Sequence, residues 1–401
     1  MPTKNTLKLA VQAATAATVL GVAGQASAVD LSVTEDVEAS LYGYARLNMS
    51  YDFDGDNALS TRSGSFALED TGKTHFGADA YQSRLGVKVK HASGMEVTVE
   101  GDFRGGGGGD LRLRHAYGEY KNFLAGRTWS NYNSFVGYTP TLDFDSLAGL
   151  AGLQDRTEQV RYTTGALSFS VEDAVRGPDI ADASGPNLDT RESAPVLTAR
   201  FEDSAGAVSY SAAGLVKRIS AEGRSASSDV VVGPNGAPAV SQVAASDVDD
   251  SAMGYGVFGA MTIELTEMLS VQGAVNYTDG ANSYLYRSGN DFYGTSAYVD
   301  GSDIETIQGY GGSLGTSLDL GNGRSINLGY GMTKLDLDDA VADGAMTSAA
   351  AETNQNAMLN YQWTPVDKVM MGVEYGYFSQ ETKGGDTKEA SRMIFAAQYS
   401  F

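Results

Sequence analysis

Apolar and polar residues alternate one for one along much of this chain. Tyr81, Ser83, Leu85, Val87 and Val89 occupy odd positions, and Gln82, Arg84, Gly86, Lys88 and Lys90 the even ones. The same period runs through Met95, Val97 and Val99 against Glu96, Thr98, Glu100 and Asp102, and again from Ile326 to Met332 and from Leu359 to Thr364. A period of two sustained over such stretches predicts β-strands with one apolar and one polar face. Sixteen segments fit: 39–54, 78–91, 94–105, 109–121, 122–130, 157–165, 166–174, 194–203, 206–217, 251–265, 267–278, 305–320, 323–335, 352–364, 367–379 and 388–401.

The gaps between these segments alternate in length. Long gaps at 55–77, 131–156, 175–193, 218–250, 279–304 and 336–351 alternate with tight turns such as Gly321-Asn322-Gly323, and only the link from Gly105 to Gly109 departs from the series. A soluble sandwich would share the parity but has no reason to sort its loops this way. The pattern predicts an all-β fold, a transmembrane antiparallel barrel of about sixteen strands with short periplasmic turns and long extracellular loops. The last strand agrees: Met393, Phe395, Ala397, Tyr399 and the terminal Phe401 form an apolar face against Arg392, Gln398 and Ser400. Tyr399 and Phe401 resemble the C-terminal signal read by the barrel-assembly machinery. Aromatic pairs at strand ends (Tyr51 and Phe53, Tyr361 and Trp363, Tyr375 and Tyr377) suit interfacial girdles.

Residues 1–28 are set apart. Lys4 and Lys8 precede an apolar stretch ending in Ala26-Ser27-Ala28, which reads as a signal peptide cleaved near Ala28. A mature chain of residues 29–401 would form a single barrel domain. No later stretch is apolar enough for a helical span.

Composition removes several function classes. With no cysteine among 401 residues, disulfide scaffolds and thiol chemistry are impossible. Fifty acidic against 28 basic residues disfavour a nucleic-acid partner. The three histidines lack metal-ligand spacing, so no catalytic residue, metal or cofactor is assigned. The net charge of −22 is unevenly distributed: residues 81–161 hold ten basic against nine acidic residues. Parity turns Arg46, Arg84, Lys88, Arg112 and Arg114 inward, with Arg161 and Arg200 on the inward side of their strands. Facing lipid, each would cost about 2–4 kcal/mol at the midplane, so a water-filled lumen is the favoured location, where a basic ladder would concentrate anions. The alternative is that these cations pair with Glu96, Glu100 and Asp102 on the neighbouring strand, and the two readings are compatible.

Segment 131–156 carries Leu147-Ala148-Gly149-Leu150-Ala151-Gly152-Leu153, too apolar a run for an exposed loop. Folded inward it would be a constriction loop, with Asp143 and Asp145 facing Arg112 and Arg114 across the pore. His115 shares the odd face of Leu111, Leu113 and Tyr117, so parity points it outward, where a contact between protomers would solvate it better than lipid. Acidic loops (Asp52, Asp54 and Asp56; Asp336, Asp338, Asp339 and Asp343) read as solvated segments that divalent ions could bridge to lipopolysaccharide.

Leu41 to Leu47, Gln82 to Gly86, the run Leu111 to Gly118, Ala125 to Ser130, Leu142-Asp143-Phe144 and Arg156 to Thr163 resemble DcaP-like porins, densely from residue 40 to 175 and diffusely afterwards. The resemblance implies a sixteen-stranded homotrimeric diffusion porin favouring small anionic solutes such as dicarboxylates. The family's N-terminal periplasmic coiled coil has no counterpart in residues 29–38, which places any trimer contact on the barrel wall. A plugged barrel acting as adhesin or structural protein, with 218–250 as plug or partner surface, and a barrel lipid hydrolase are the alternatives; no outward Ser–His pair supports the latter.

Overall fold

The computed structural model describes residues 29–53, 73–174, 180–181, 188–191, 194–225, 228–232, 238–242, 246–290 and 292–401. The expected signal peptide, with Asp54 and Asp56, lies outside them.

Sixteen antiparallel strands close a barrel. The first six are β1 (Val37–Asp52), β2 (His75–Asp79 and Arg84–His91), β3 (Met95–Gly105), β4 (Asp110–Tyr120), β5 (Phe123–Trp129) and β6 (Arg156–Thr164). Next come β7 (Leu167–Glu172), β8 (Val196–Ala205), β9 (Val208–Ser225), β10 (Ser246–Glu264) and β11 (Leu269–Asp279). The last five are β12 (Gln308–Gly321), β13 (Arg324–Leu335), β14 (Ala351–Val366), β15 (Val369–Thr382) and β16 (Thr387–Ser400). Neighbours in sequence pair throughout, and β1 pairs with β16 from Tyr44 opposite Ser400 to Asp52 opposite Arg392. A closed sheet leaves no edge of unpaired backbone to lipid, which is what a strand-built membrane span requires.

Alternation sets the faces. In β7, Leu167, Phe169 and Val171 are exposed while Ser168, Ser170 and Glu172 are buried. Many of the exposed aromatics gather in two belts, Tyr120, Phe123, Tyr162 and Tyr399 below and Tyr51, Phe53, Phe103, Tyr255 and Tyr310 above. The terminal Phe401 donates its backbone N–H to Gly43 O.

Three local features depart from simple parity. The expected strand 78–91 breaks at residues 80–83. The expected loop 218–250 is largely strand, because β9 and β10 run 18 and 19 residues and pair as far as Ser225 opposite Ser246. The apolar inner face of that extension (Ile219, Ala221, Val248) packs on Ala297, Val299 and Ile304 from a small sheet that leads into β12.

The third feature corrects the placement of His115. Glu100 pairs with His115 but Gly101 pairs with Leu113, which leaves Arg114 as the extra residue of a β-bulge. The bulge shifts the parity by one, so Arg114 and His115 are both buried inward. The His115 ring bonds Thr128 Oγ1 at 3.0 Å and accepts from Arg156 Nε at 3.2 Å. The imidazole therefore points into the barrel and not out towards a neighbouring protomer. Asp52, read as part of a solvated acidic loop, is also inside: it forms a fully buried ion pair with Arg392 across the β1–β16 seam.

Candidate functional site: the barrel lumen

Residues 130–155 join β5 to β6 but leave the wall and cross the barrel interior. A loop so placed must find partners for its backbone groups, and inward polar residues of distant strands supply them. Glu172 on β7 accepts from Ser130 Oγ and Asn131 N at 2.6 and 2.7 Å. Thr262 on β10 accepts from Gly137 N, and Asn276 on β11 brackets Gly149 O and Gly152 N. Asn356 on β14 bonds both Ser146 O and Ala148 N. Glu374 on β15 accepts from Leu142 N and Asp143 N, each at 2.7 Å, and Arg46 on β1 donates to Leu142 O at 2.8 Å.

The apolar run supplies the packing. Leu147, Ala148 and Leu150 bury against Met358, Phe378 and Ala390, and Leu142 buries against Met370, Ile394 and Ala396. Tyr132, Ala151 and Leu153 join Phe258, Leu215 and Val196 on the other side. The wall makes room by omitting side chains. A Cβ at Gly331 would stand 2.2 Å from Ala148 O, and one at Gly372 2.8 Å from a Leu142 methyl. The loop reciprocates at Gly149, whose positive φ of 66° and 2.5 Å approach to Gly312 N admit only glycine. Gly331→Ala should therefore unseat the loop and raise single-channel conductance; an unchanged conductance would contradict this seat.

A second segment lines the interior, and sequence reading missed it. Residues 282–288, inside the expected extracellular gap 279–304, are buried. Arg287 Nη1 donates to Ser146 O at 2.6 Å, Tyr286 OH to Asp145 O at 3.0 Å, and Gly149 N to Tyr286 O. The signal available was Tyr284-Leu285-Tyr286, an apolar run in a polar gap like the one at Leu147–Leu153.

The predicted basic residues divide into two groups. Arg84, Lys88, Arg112 and Arg114 pair with β3 carboxylates. Arg114 bridges Glu100 and Asp102 at 2.8 and 3.0 Å, Arg112 meets Asp102 at 2.7 Å, Arg84 meets Glu100 at 3.3 Å, and Lys88 meets Glu96 at 2.6 Å. Arg114 is buried, but the side chains of Arg84, Lys88 and Arg112 keep 23, 38 and 34% of their surface exposed. Arg46, Arg161 and Arg200 instead donate to the carbonyls of Leu142, Trp129 and Asn133, at or within the inward loop.

Asp143 and Asp145 do not face Arg112 and Arg114. Both are buried, 2% and 1% exposed, and the guanidinium charges acting on Asp143 are those of Arg287 and Arg392. The loop residue turned to the ladder is Phe144, with the Arg104 guanidinium 4.6 Å and that of Arg112 5.9 Å from its ring centre. The ladder is thus opposed by an aromatic face, because a loop closing on the far wall turns its polar groups into that wall.

Burial first, and the charge of Asp145 second, push the Asp143 carboxyl above the ordinary aspartate range. The folded protein then holds this proton more tightly than the unfolded chain. Its stabilising contribution is complete below the unfolded pKa and is lost as pH rises through the raised folded value. Asp143→Asn should flatten this part of the pH dependence, read as the thermal midpoint in detergent from about pH 4 to about pH 8; an unaltered slope would count against it.

Comparison with known proteins follows the same lines. Among solved structures, the outer membrane channel DcaP of Acinetobacter baumannii is 26% identical with a TM-score of 0.74, over 91% of this chain and 98% of that chain. OmpT of Vibrio cholerae (12% identity, TM-score 0.53, 92% and 99% coverage) and an anion-selective porin from Comamonas acidovorans (13%, 0.53, 91% and 100%) share the fold. No curated protein matches the chain. The profile of the DcaP outer membrane protein family matches residues 14–228, more than half of the sequence. The chain is a sixteen-stranded outer-membrane barrel that belongs to the DcaP outer membrane protein family.

Proposed function

We propose that the protein is a porin for passive diffusion of small hydrophilic solutes, favouring anions such as dicarboxylates. One observation carries this reading: Arg84, Lys88 and Arg112 on β2 and β4 stay partly exposed in the lumen, while Asp143 and Asp145 of the inward loop are buried. Within the paired set, Arg84, Lys88, Lys90, Arg112 and Arg114 meet only Glu96, Glu100 and Asp102. That leaves two positive charges in excess. In a channel with a low-dielectric wall such an excess concentrates anions and excludes cations. The inward loop narrows the path against this ladder and acts as the constriction loop. The name of the Comamonas porin records anion selectivity for a protein of this architecture.

In the same reading the mature chain, 29–401, is one domain reached after cleavage near Ala28. Tyr399 and Phe401 present the assembly signal, acidic loops meet lipopolysaccharide, and the protein associates with itself as a homotrimer. A structure of OmpT from Vibrio cholerae is described as a trimer form.

The test is the reversal potential in planar bilayers under a salt gradient. Arg84→Ala, Lys88→Ala and Arg112→Ala combined should lower the anion-to-cation permeability ratio by about tenfold. An unchanged ratio would refute the selectivity assignment, and absence of any conductance from folded wild-type protein would favour the plugged barrel.

A further inference from the structure

Among the described residues, the outward face of the wall between its aromatic belts is mostly apolar, with isolated polar groups such as Thr316 and Gln355, and carries a charged pair on β5 and β6. Arg127 Nη1 lies 2.9 Å from both carboxylate oxygens of Glu158, which stands directly opposite in the β5–β6 register. Their chain neighbours Thr128 and Thr157 are buried inward, so this pair points out of the barrel; Glu158 keeps 59% of its side chain exposed. Each partner stands four residues up its strand from the Phe123–Tyr162 ring contact of the lower belt. At about 3.3 Å per residue and a tilt of about 40°, that is about 10 Å into an apolar band about 25 Å tall. Elsewhere in the described wall the exposed outward positions between the belts read Met49, Val87, Phe169, Val257, Leu328 and Val373. An ion pair at this depth against acyl chains is disfavoured, so another protein surface, rather than lipid, should cover it.

We propose that the outward face of β4–β6, centred on Arg127 and Glu158, is the surface on which a second copy of this chain docks. The proposal rests on the self-association put forward above and adds which wall makes the contact. The patch carries both signs, so the cation of one copy can meet the carboxylate of the next without a foreign partner. Beside it Ala116, Gly118 and the Ala125 that pairs with Gly118 leave a flat surface on which two walls can approach closely. Among the described residues the strands here are short: β5 and β7 have seven and six residues and the β3–β4 turn spans only 106–109, whereas β9 and β10 rise 18 and 19 residues elsewhere. His115, one register step inside this face, takes no part.

The test uses the full-length protein in outer membranes with the photo-crosslinker p-benzoylphenylalanine introduced at Ala125 or, as control, at Val257. Ala125 should give a covalent dimer of twice the chain mass, and Val257 none. If the protein is oligomeric by native mass spectrometry but Ala125 gives no dimer, the face is wrong while self-association stands. If the protein is monomeric and neither site gives a dimer, the self-association reading falls too. An adduct of Ala125 with a protein of another mass would overturn the choice of partner. Independently, Arg127→Glu should shift the oligomer towards monomer at least tenfold, with the barrel still heat-modifiable, and adding Glu158→Arg should restore it. An oligomer indifferent to Arg127→Glu would overturn the proposal.

Discussion

Glu374→Ala should enlarge and destabilise the conducting path more than any other single change in the lumen. Its carboxylate accepts the amides of Leu142 and Asp143 and the side-chain amide of Asn360, at 2.7, 2.7 and 2.9 Å, with 2% of the residue exposed. Truncation leaves the two backbone amides buried without an acceptor and takes one of two acceptors from Asn360 Nδ2, which keeps Pro140 O, at about 1–3 kcal/mol for each lost partner. The cost falls on the loop's seat rather than on the wall, since the β14–β15 and β15–β16 ladders do not involve this side chain. The expected record is a higher and noisier single-channel conductance from a barrel that still forms. Glu374→Gln retains an oxygen acceptor and should give an intermediate conductance. A quiet channel of wild-type conductance in Glu374→Ala would show that the loop is held from elsewhere.

The second large effect belongs to the seam. Arg392 Nε and Nη2 reach Asp52 Oδ1 and Oδ2 at 2.5 and 2.9 Å, and neither side chain has more than 1% exposure. Removing one partner of such a pair strands a buried charge and costs about 3–5 kcal/mol. Arg392→Ala should accordingly lower the temperature at which the barrel loses its heat-modifiable gel mobility. Replacing both partners, Asp52→Leu with Arg392→Met, should recover part of the loss because neither charge of the pair is then left without its partner. Equal destabilisation in single and double variants would contradict this account.

Strand positions were legible because a wall between lipid and a polar interior imposes period two on every strand, from β1 to β16. The count of sixteen and the alternating loops follow from the same constraint. Parity failed where one residue is inserted: the bulge at Arg114 leaves as its trace two adjacent polar residues, Arg114-His115, where alternation allows one, and it reversed the side assigned to His115. It also gave no warning that three of seven inward arginines and lysines would hold loop carbonyls, since parity sets a direction and not a partner. The inward path of 131–155 was legible from its leucines. Its acids were misplaced because charge alone does not say which wall a loop leans on; the glycines at 331 and 372, on the far wall, carried that information.

The inward loop has a consequence for the order in which the molecule can be built. Its bonds to Glu374 and Asn356 span 231 and 208 residues, although the strands it joins are already adjacent in the chain. Its seat is therefore complete only once β10–β15 stand in place, and seating the loop carries the entropic cost of bringing together residues more than 200 apart. Narrowing of the path thus waits on strands that lie far downstream of the loop in the chain.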